Sequence, residues 1–238
     1  MIDVHCHFDQ VKYPEGYITN NENKRIVTIG MTNLPSHFQM GVNRIRQYKY
    51  IRLALGLHPL LANQHINEYS NFIKLIDQTS YIGEVGLDFS KEGYATKDIQ
   101  IKSFEFILKN LKGKNKILSL HSRRAEKEIL NMLIEHEVEN AIFHWYSGGV
   151  KVLNDIVSNK YYFSINSAMI YSENGKKIIS QIPRELILTE TDNPYIENSN
   201  INSIFKYLSN IWEISENEVE STIDENFKQL LSKIKTSC

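Results

Sequence analysis

Five of the chain's eight histidines stand late in short apolar runs, and four carboxylates stand with them. His5 and His7 lie one residue apart in IDVHCHF. His58 follows ALGL, His121 follows ILSL and His144 follows NAIF, while Glu84 with Asp88 and Glu190 with Asp192 fall in YIGEVGLDF and LILTETDNP. Side chains alternate along an extended strand, so His5 and His7 share one face, with Val4 and Cys6 on the other. The same parity pairs Glu84 with Asp88 and Glu190 with Asp192. Neutral imidazoles and carboxylates together form a ligand set for a divalent cation, zinc, manganese or magnesium. The number of donors suffices for one ion, or for two bridged by a carboxylate. Such a pair generates hydroxide and holds both oxygens of a displacement at phosphorus. Each signal alone has a plainer reading. An H-x-H pair is more often surface or core filling, His58-Pro59 a strand terminator, and Glu84 or Asp192 a helix cap or ion-pair partner. What points to a metal site is their joint position.

The elements that must position these groups recur in order. Eight apolar runs, 2–8, 25–32, 51–59, 81–89, 116–122, 140–147, 161–169 and 186–194, are rich in Ile, Leu, Val, Phe and Tyr without strict alternation. That is the pattern of strands buried on both faces of a parallel sheet. Helical spacing of apolar residues appears between them, over 66–78, 98–111, 124–138 and 201–212. A final helix is expected near Ser215, where Ser215 and Glu218 form a capping box and Ile223, Phe227, Leu230 and Ile234 form an apolar face. Alternating strands and helices suit an open doubly wound sheet or a closed barrel; eight units favour an α/β fold of the (β/α)8 TIM-barrel type. In such a barrel the C-terminal strand ends meet at one rim, which is where the histidines and carboxylates fall. Residues 1–238 read as a single domain, with 10–24 and 88–97 as the longest polar loops.

Composition narrows the function. Basic and acidic residues nearly balance, 27 against 28. A protein that coats nucleic acid by bulk charge is usually more basic, so any such contact is expected at a local cleft. Two cysteines give no disulfide framework or zinc ribbon; Cys6 reads as a buried structural thiol and Cys238 as a frayed terminus. No leader and no run of about 18 apolar residues is evident, so a soluble cytoplasmic protein with no membrane partner is expected. No G-x-G-x-x-G loop follows a strand. His37, His65 and His136 fall outside the strand ends and read as surface residues.

Taken together, IDVHCHFD, ALGLHP, YIGEVGLDF, LSLHSRRA, FHWYSGG, LTETDNPY and ENFKQLL resemble the TatD family of metal-dependent hydrolases, in the family's order from residue 2 to 231. The resemblance implies a (β/α)8 barrel of the amidohydrolase-like type and a metal-dependent deoxyribonuclease that removes nucleotides from DNA 3′ ends, single strands included. It further implies that His5 and His7 hold a first metal, Glu84 bridges to a second held by His121 and His144, and Asp192 is a ligand and general base. His58 would lie near the reacting phosphate and Arg123 would grip a phosphate, with a solvated helix turn as the plainer reading of Arg123. Trp145 and Tyr146 would stack on bases or pack the rim. Glu190 would orient a ligand or a water. The segment after TETDNPY, IENSNINSIFKY, lacks the arginine-rich stretch of the family. That departure keeps a small amide, ester or modified nucleobase open as substrate. The whole form is also similar to the TatD-like subunits of Qat anti-phage defence systems. That likeness implies an ATPase, a QueC-like protein and a small subunit as partners, and leaves open an interaction subunit.

Overall fold

All eight apolar runs carry strand. In the computed structural model, which describes residues 1–235, they form β1 (Ile2–Cys6), β2 (Val27–Gly30), β3 (Ile51–Leu53), β4 (Leu55–Leu57), β5 (Tyr81–Gly86), β6 (Ile117–His121), β7 (Ala141–His144), β8 (Tyr162–Ile165) and β9 (Ile187–Thr189). Every pairing is parallel and follows chain order, β1-β2-β3 and then β4 through β9. Sequential parallel pairing, with a crossover between most neighbours, is the topology of a (β/α)8 barrel.

The third run, read as one strand, is divided at Ala54. The reason is a side chain that replaces part of the ladder. Thr32 Oγ1 donates to the Ala54 carbonyl at 2.8 Å and accepts from the Gly56 amide at 3.1 Å. A Cβ on Gly56 would stand 1.5 Å from the Thr32 carbonyl oxygen, so only glycine permits this approach. β3 therefore pairs with β2, and β4 pairs with β5.

The barrel closes between the end of β9 and β1. The Asp192 amide donates to the His5 carbonyl at 3.0 Å, and the His7 amide donates to the Asn193 carbonyl at 2.7 Å. Asp3, on the same face as His5 and His7, accepts from the Thr191 amide at 2.9 Å and the Thr191 hydroxyl at 2.6 Å. Burial pushes the Asp3 carboxyl up to about 7. Asp3→Ala leaves both buried donors of Thr191 unpaired, at a cost of about 2–4 kcal/mol. We expect its melting temperature to fall by about 5–15 °C in a thermal unfolding scan; a shift under about 2 °C would show that closure does not depend on this carboxyl.

The helices are α1 (Pro14–Asn23), α2 (Pro35–Ile45), α3 (His65–Leu75), α4 (Lys97–Leu111), α5 (Glu126–Glu135), α6 (Val150–Ser158), α7 (Ser167–Tyr171), α8 (Glu173–Ile179), α9 (Ile201–Trp212) and α10 (Glu216–Lys235). The capping box before α10 forms as expected: the Ser215 amide donates to Glu218 Oε2 at 2.8 Å, and the Glu218 amide to Ser215 Oγ at 3.3 Å. The stretch read as a polar loop, 10–24, instead holds α1. Pro14 starts that helix, but it buries only Ile18 and Asn21, too narrow a stripe to show as helical spacing. Buried Ile, Leu, Val and Phe from strands and helices form one continuous core, and Cys6 is a buried free thiol within it. Cys238 lies outside the described residues.

Candidate metal centre at the barrel mouth

β1, β5, β6, β7 and the segments after β4 and β9 bring His5, His7, Glu84, His121, His144, His58 and Asp192 into one cluster. Glu84 is its hub. Its Oε2 lies 3.1 Å from His7 Nε2, 3.3 Å from His58 Nε2 and 3.6 Å from His5 Nε2. Its Oε1 lies 2.6 Å from His121 Nδ1 and 3.3 Å from His144 Nε2. Asp192 closes the other side, with Oδ1 at 3.8 Å from His5 Nε2 and 3.9 Å from His7 Nε2. The His5 and His144 rings stack with centroids 3.8 Å apart.

Polar residues behind the cluster hold the rings. Asp88 accepts from His121 Nε2 at 2.8 Å, and Glu190 accepts from His144 Nδ1 at 3.2 Å. Glu190 is itself held by the Ser164 hydroxyl and by the Asn166 amide. His5 Nδ1 bonds Ser119 Oγ at 2.7 Å. Glu190 thus lies behind the cluster, against the His144 ring. Sequence reasoning missed Asp3, Ser119, Ser164 and Asn166. Period two contained the signal: Asp3 has the parity of His5, Ser119 that of His121, and Ser164 shares its parity with Asn166.

Electrostatics follow from crowding. Burial alone would raise Glu84, but the imidazoles of His58, His144 and His121 outweigh it and hold the carboxyl well below its usual range. Burial opposes charge on His121 as well; Asp88 and Glu84 overcome it and raise the ring to about 9. Burial, with the neighbouring His144, lowers His5 to about 4. Asp192 is pushed up to about 7, first by burial.

The donors fit a cation. His5 Nε2 is buried without a hydrogen-bond partner. It stands too far from Glu84 and Asp192 to bond them, yet near the roughly 3–3.5 Å that separates two atoms ligating the same ion. Three groups of ligating atoms, each within 4.8 Å of one another, can be drawn: His5 with His144 and Asp192, His5 with His7 and Glu84, and His58 with Glu84 and His121. Because the groups share His5 and Glu84, the cluster has the donors for one ion or for two.

A cavity of about 510 Å³ opens above the cluster, lined by His58, Arg123, Trp145 and Tyr195 among others. Arg123 lies at its rim, where Nη1 pairs with the exposed Glu92 at 3.1 Å. Trp145 is 38 % exposed at the rim, whereas Tyr146 is buried and donates to the Gly149 carbonyl. Of that adjacent pair, Trp145 faces the cavity and Tyr146 packs. His37 and His136 are half-buried. His65, read as a surface residue, is fully buried; it opens α3 with its ring turned under the barrel mouth to meet the His58 carbonyl.

The family description "TatD related DNase" matches residues 2–232. The chain belongs to the TatD family. It is 26% identical over 239 residues to the uncharacterized metal-dependent hydrolase MJ1582 of Methanocaldococcus jannaschii, covering 94% of each chain. To human deoxyribonuclease TATDN3 it is 25% identical over 262 residues, covering 99% of this chain and 96% of that one. Among solved structures, the TatD homolog YJJV of Escherichia coli superimposes with a TM-score of 0.85 over 97% of both chains at 21% identity, which establishes the TIM-barrel fold. A hydrolase of the TatD family from Entamoeba histolytica follows with a TM-score of 0.77. As a TatD-family chain, the protein is a metal-dependent hydrolase of the deoxyribonuclease type. Among the described residues, no helix is long and apolar enough to cross a membrane.

Proposed function

We propose that this TatD-family hydrolase is a phosphodiesterase that shortens DNA from the 3′ end, with a single strand as its preferred form. The observation that carries the reading is the joining of five imidazoles to both oxygens of one buried carboxylate, Glu84, beneath an open cavity. His5, His7, Glu84 and Asp192 would hold a first divalent ion, and Glu84, His121 and His144 a second. When bound, such ions supply Lewis acidity and lower the pKa of water. Asp192, at the open side of the cluster, would take the proton of the attacking water. Glu190 and Asp88 keep the imidazoles of His144 and His121 oriented. Arg123 and Trp145, at the rim, supply a phosphate contact and a face on which an unpaired base stacks.

The test is digestion of end-labelled single-stranded DNA with magnesium, with manganese, with chelator, and with Asp192→Asn. Stepwise loss from the 3′ end that needs metal is expected, slowed by about 10²–10³-fold in Asp192→Asn. No shortening by protein that binds metal would move the reading to a small amide, ester or modified nucleobase. The arginine-free IENSNINSIFKY segment favours that second reading. The resemblance read from the sequence motifs alone raises an anti-phage role with an ATPase, a QueC-like protein and a small subunit as partners. Co-purification with those three proteins tests it; an inert DNase result with intact complex formation would make the chain an interaction subunit.

A further inference from the structure

The cluster contains one imidazole whose hydrogen-bonding logic is opposite to its neighbours'. For His121 and His144 the nitrogen facing away from Glu84 meets a carboxylate, Asp88 Oδ2 at 2.8 Å and Glu190 Oε1 at 3.2 Å. A carboxylate only accepts, so the outer nitrogen carries a proton that stays when a metal binds, and the inner one, which faces Glu84, becomes the lone-pair donor once its own proton is displaced. His58 reverses this. Its Nδ1 accepts from the Leu60 amide at 3.2 Å. A backbone amide only donates, so Nδ1 is unprotonated and the proton of the neutral ring sits on Nε2, the nitrogen aimed at Glu84 Oε2 from 3.3 Å. In this rotamer His58 has no lone pair to offer a cation, although its ring nitrogen stands within ligand distance of Glu84 and His121.

The rest of the turn locks that choice. The His58 amide donates to the Asn33 carbonyl at 2.8 Å, and the His58 carbonyl accepts from the Leu61 amide at 2.9 Å. The same carbonyl also accepts from His65 Nε2 at 3.0 Å. His65 is 1% exposed, and among the described residues its Nδ1 has no hydrogen-bond partner. Its ring hydrogen bond goes to the backbone of His58, the residue whose ring it thereby holds in place.

With His58 on the phosphate side of the cluster, as the family resemblance implies, we propose that its ring is fixed as an Nε2–H donor by the Leu60 amide, and that His65 is the positioning residue that holds the His58–Leu60 turn in that arrangement. Nε2–H would turn from Glu84 to a non-bridging oxygen of the phosphate in the cavity. The proposal rests on the phosphodiester reading only for that acceptor; the tautomer stands on the Leu60 amide alone.

The test is nitrogen-15 NMR of the histidine rings in the metal-free protein and on titration with Zn²⁺. His58 is expected to show a protonated Nε2 and an unprotonated Nδ1 throughout, while the His5, His121 and His144 signals move. His58→Leu should bind as much metal as the unsubstituted protein and lose about 10²-fold in kcat/KM, with His58→Gln, which keeps a donor, restoring part of it. His65→Leu should blur the His58 tautomer and lower kcat/KM with metal content unchanged. His65→Gln, which keeps an N–H, should preserve the tautomer if the leucine variant does not fold. Loss of the Nε2 proton on adding Zn²⁺, or loss of bound metal in His58→Leu, would make His58 a ligand and overturn the proposal. An unaltered tautomer in folded His65→Leu would remove the positioning role. Because the NMR and metal readouts need no DNA, they hold whether or not DNA is the substrate.

Discussion

Glu84→Gln is expected to abolish measurable hydrolysis, a loss of about 10³-fold or more, and to lower the number of divalent ions bound. The substitution is nearly isosteric, so the effect isolates charge and donor number. Oε2 of Glu84 faces His5, His7 and His58, while Oε1 faces His121 and His144. The two oxygens thus face opposite halves of the cluster, as the proposed bridging of two ions by this carboxylate would require. A carboxamide replaces one of those acceptors with a donor. It also removes the negative charge that allows several imidazoles to crowd a largely buried site, where one uncompensated buried charge costs about 3–5 kcal/mol. Metal counted by elemental analysis and turnover on the same sample would decide the matter. A glutamine variant that keeps its full metal content and more than a tenth of the activity would show that Glu84 does not bridge.

Saturating Mn²⁺ should raise the melting temperature by roughly 8–16 °C, and chelator should reverse it. The size follows from linkage: an ion at 1,000 times its Kd stabilises by about 4 kcal/mol, and each kcal/mol moves a chain of this size by about 2–4 °C. The shift should also grow with pH. In the metal-free protein His121 is raised to about 9, with Asp88 and Glu84 overcoming burial, and His144 is raised in the same direction. A histidine whose folded pKa exceeds its unfolded value stabilises fully below about 6.5, and that contribution is lost as pH rises through the folded value. The metal-free protein should therefore weaken between pH 6.5 and 9. A metal must displace those protons to bind, so its affinity improves over the same interval. Thermal scans at pH 6.5 and 8.5 with and without Mn²⁺ check both statements. A Mn²⁺ shift that is equal at the two pH values would show that no imidazole deprotonates on binding.

The barrel and most residues of its candidate centre are legible in the sequence because both depend on local rules. Eight runs of β-branched and large apolar residues with helical spacing between several of them can bury their faces in few ways. Period two within a strand then places His5 beside His7 on one face, and the C-terminal position of the histidines and carboxylates in their runs assigns them to a common rim. The capping box at Ser215 and the α9 span are equally local. Tertiary structure alone decided the rest. Helix α1 was missed because its buried stripe is Ile18 and Asn21, and a stripe that short acquires meaning only from what it packs against. The division of the third run at Ala54 depends on Thr32, more than twenty residues away, and on the room that Gly56 leaves for its carbonyl. His65 reads as a surface histidine in HINEYSNF, because nothing in that stretch reveals that its Nε2 will meet the His58 carbonyl. Residue types determined which side chains could bind a metal. Whether the inward nitrogen of a ring can give up its proton to a metal is set by whether an acceptor or a donor lies behind the ring; the Leu60 amide behind His58 is local, but Asp88 and Glu190 meet His121 and His144 only when the chain has closed into a barrel.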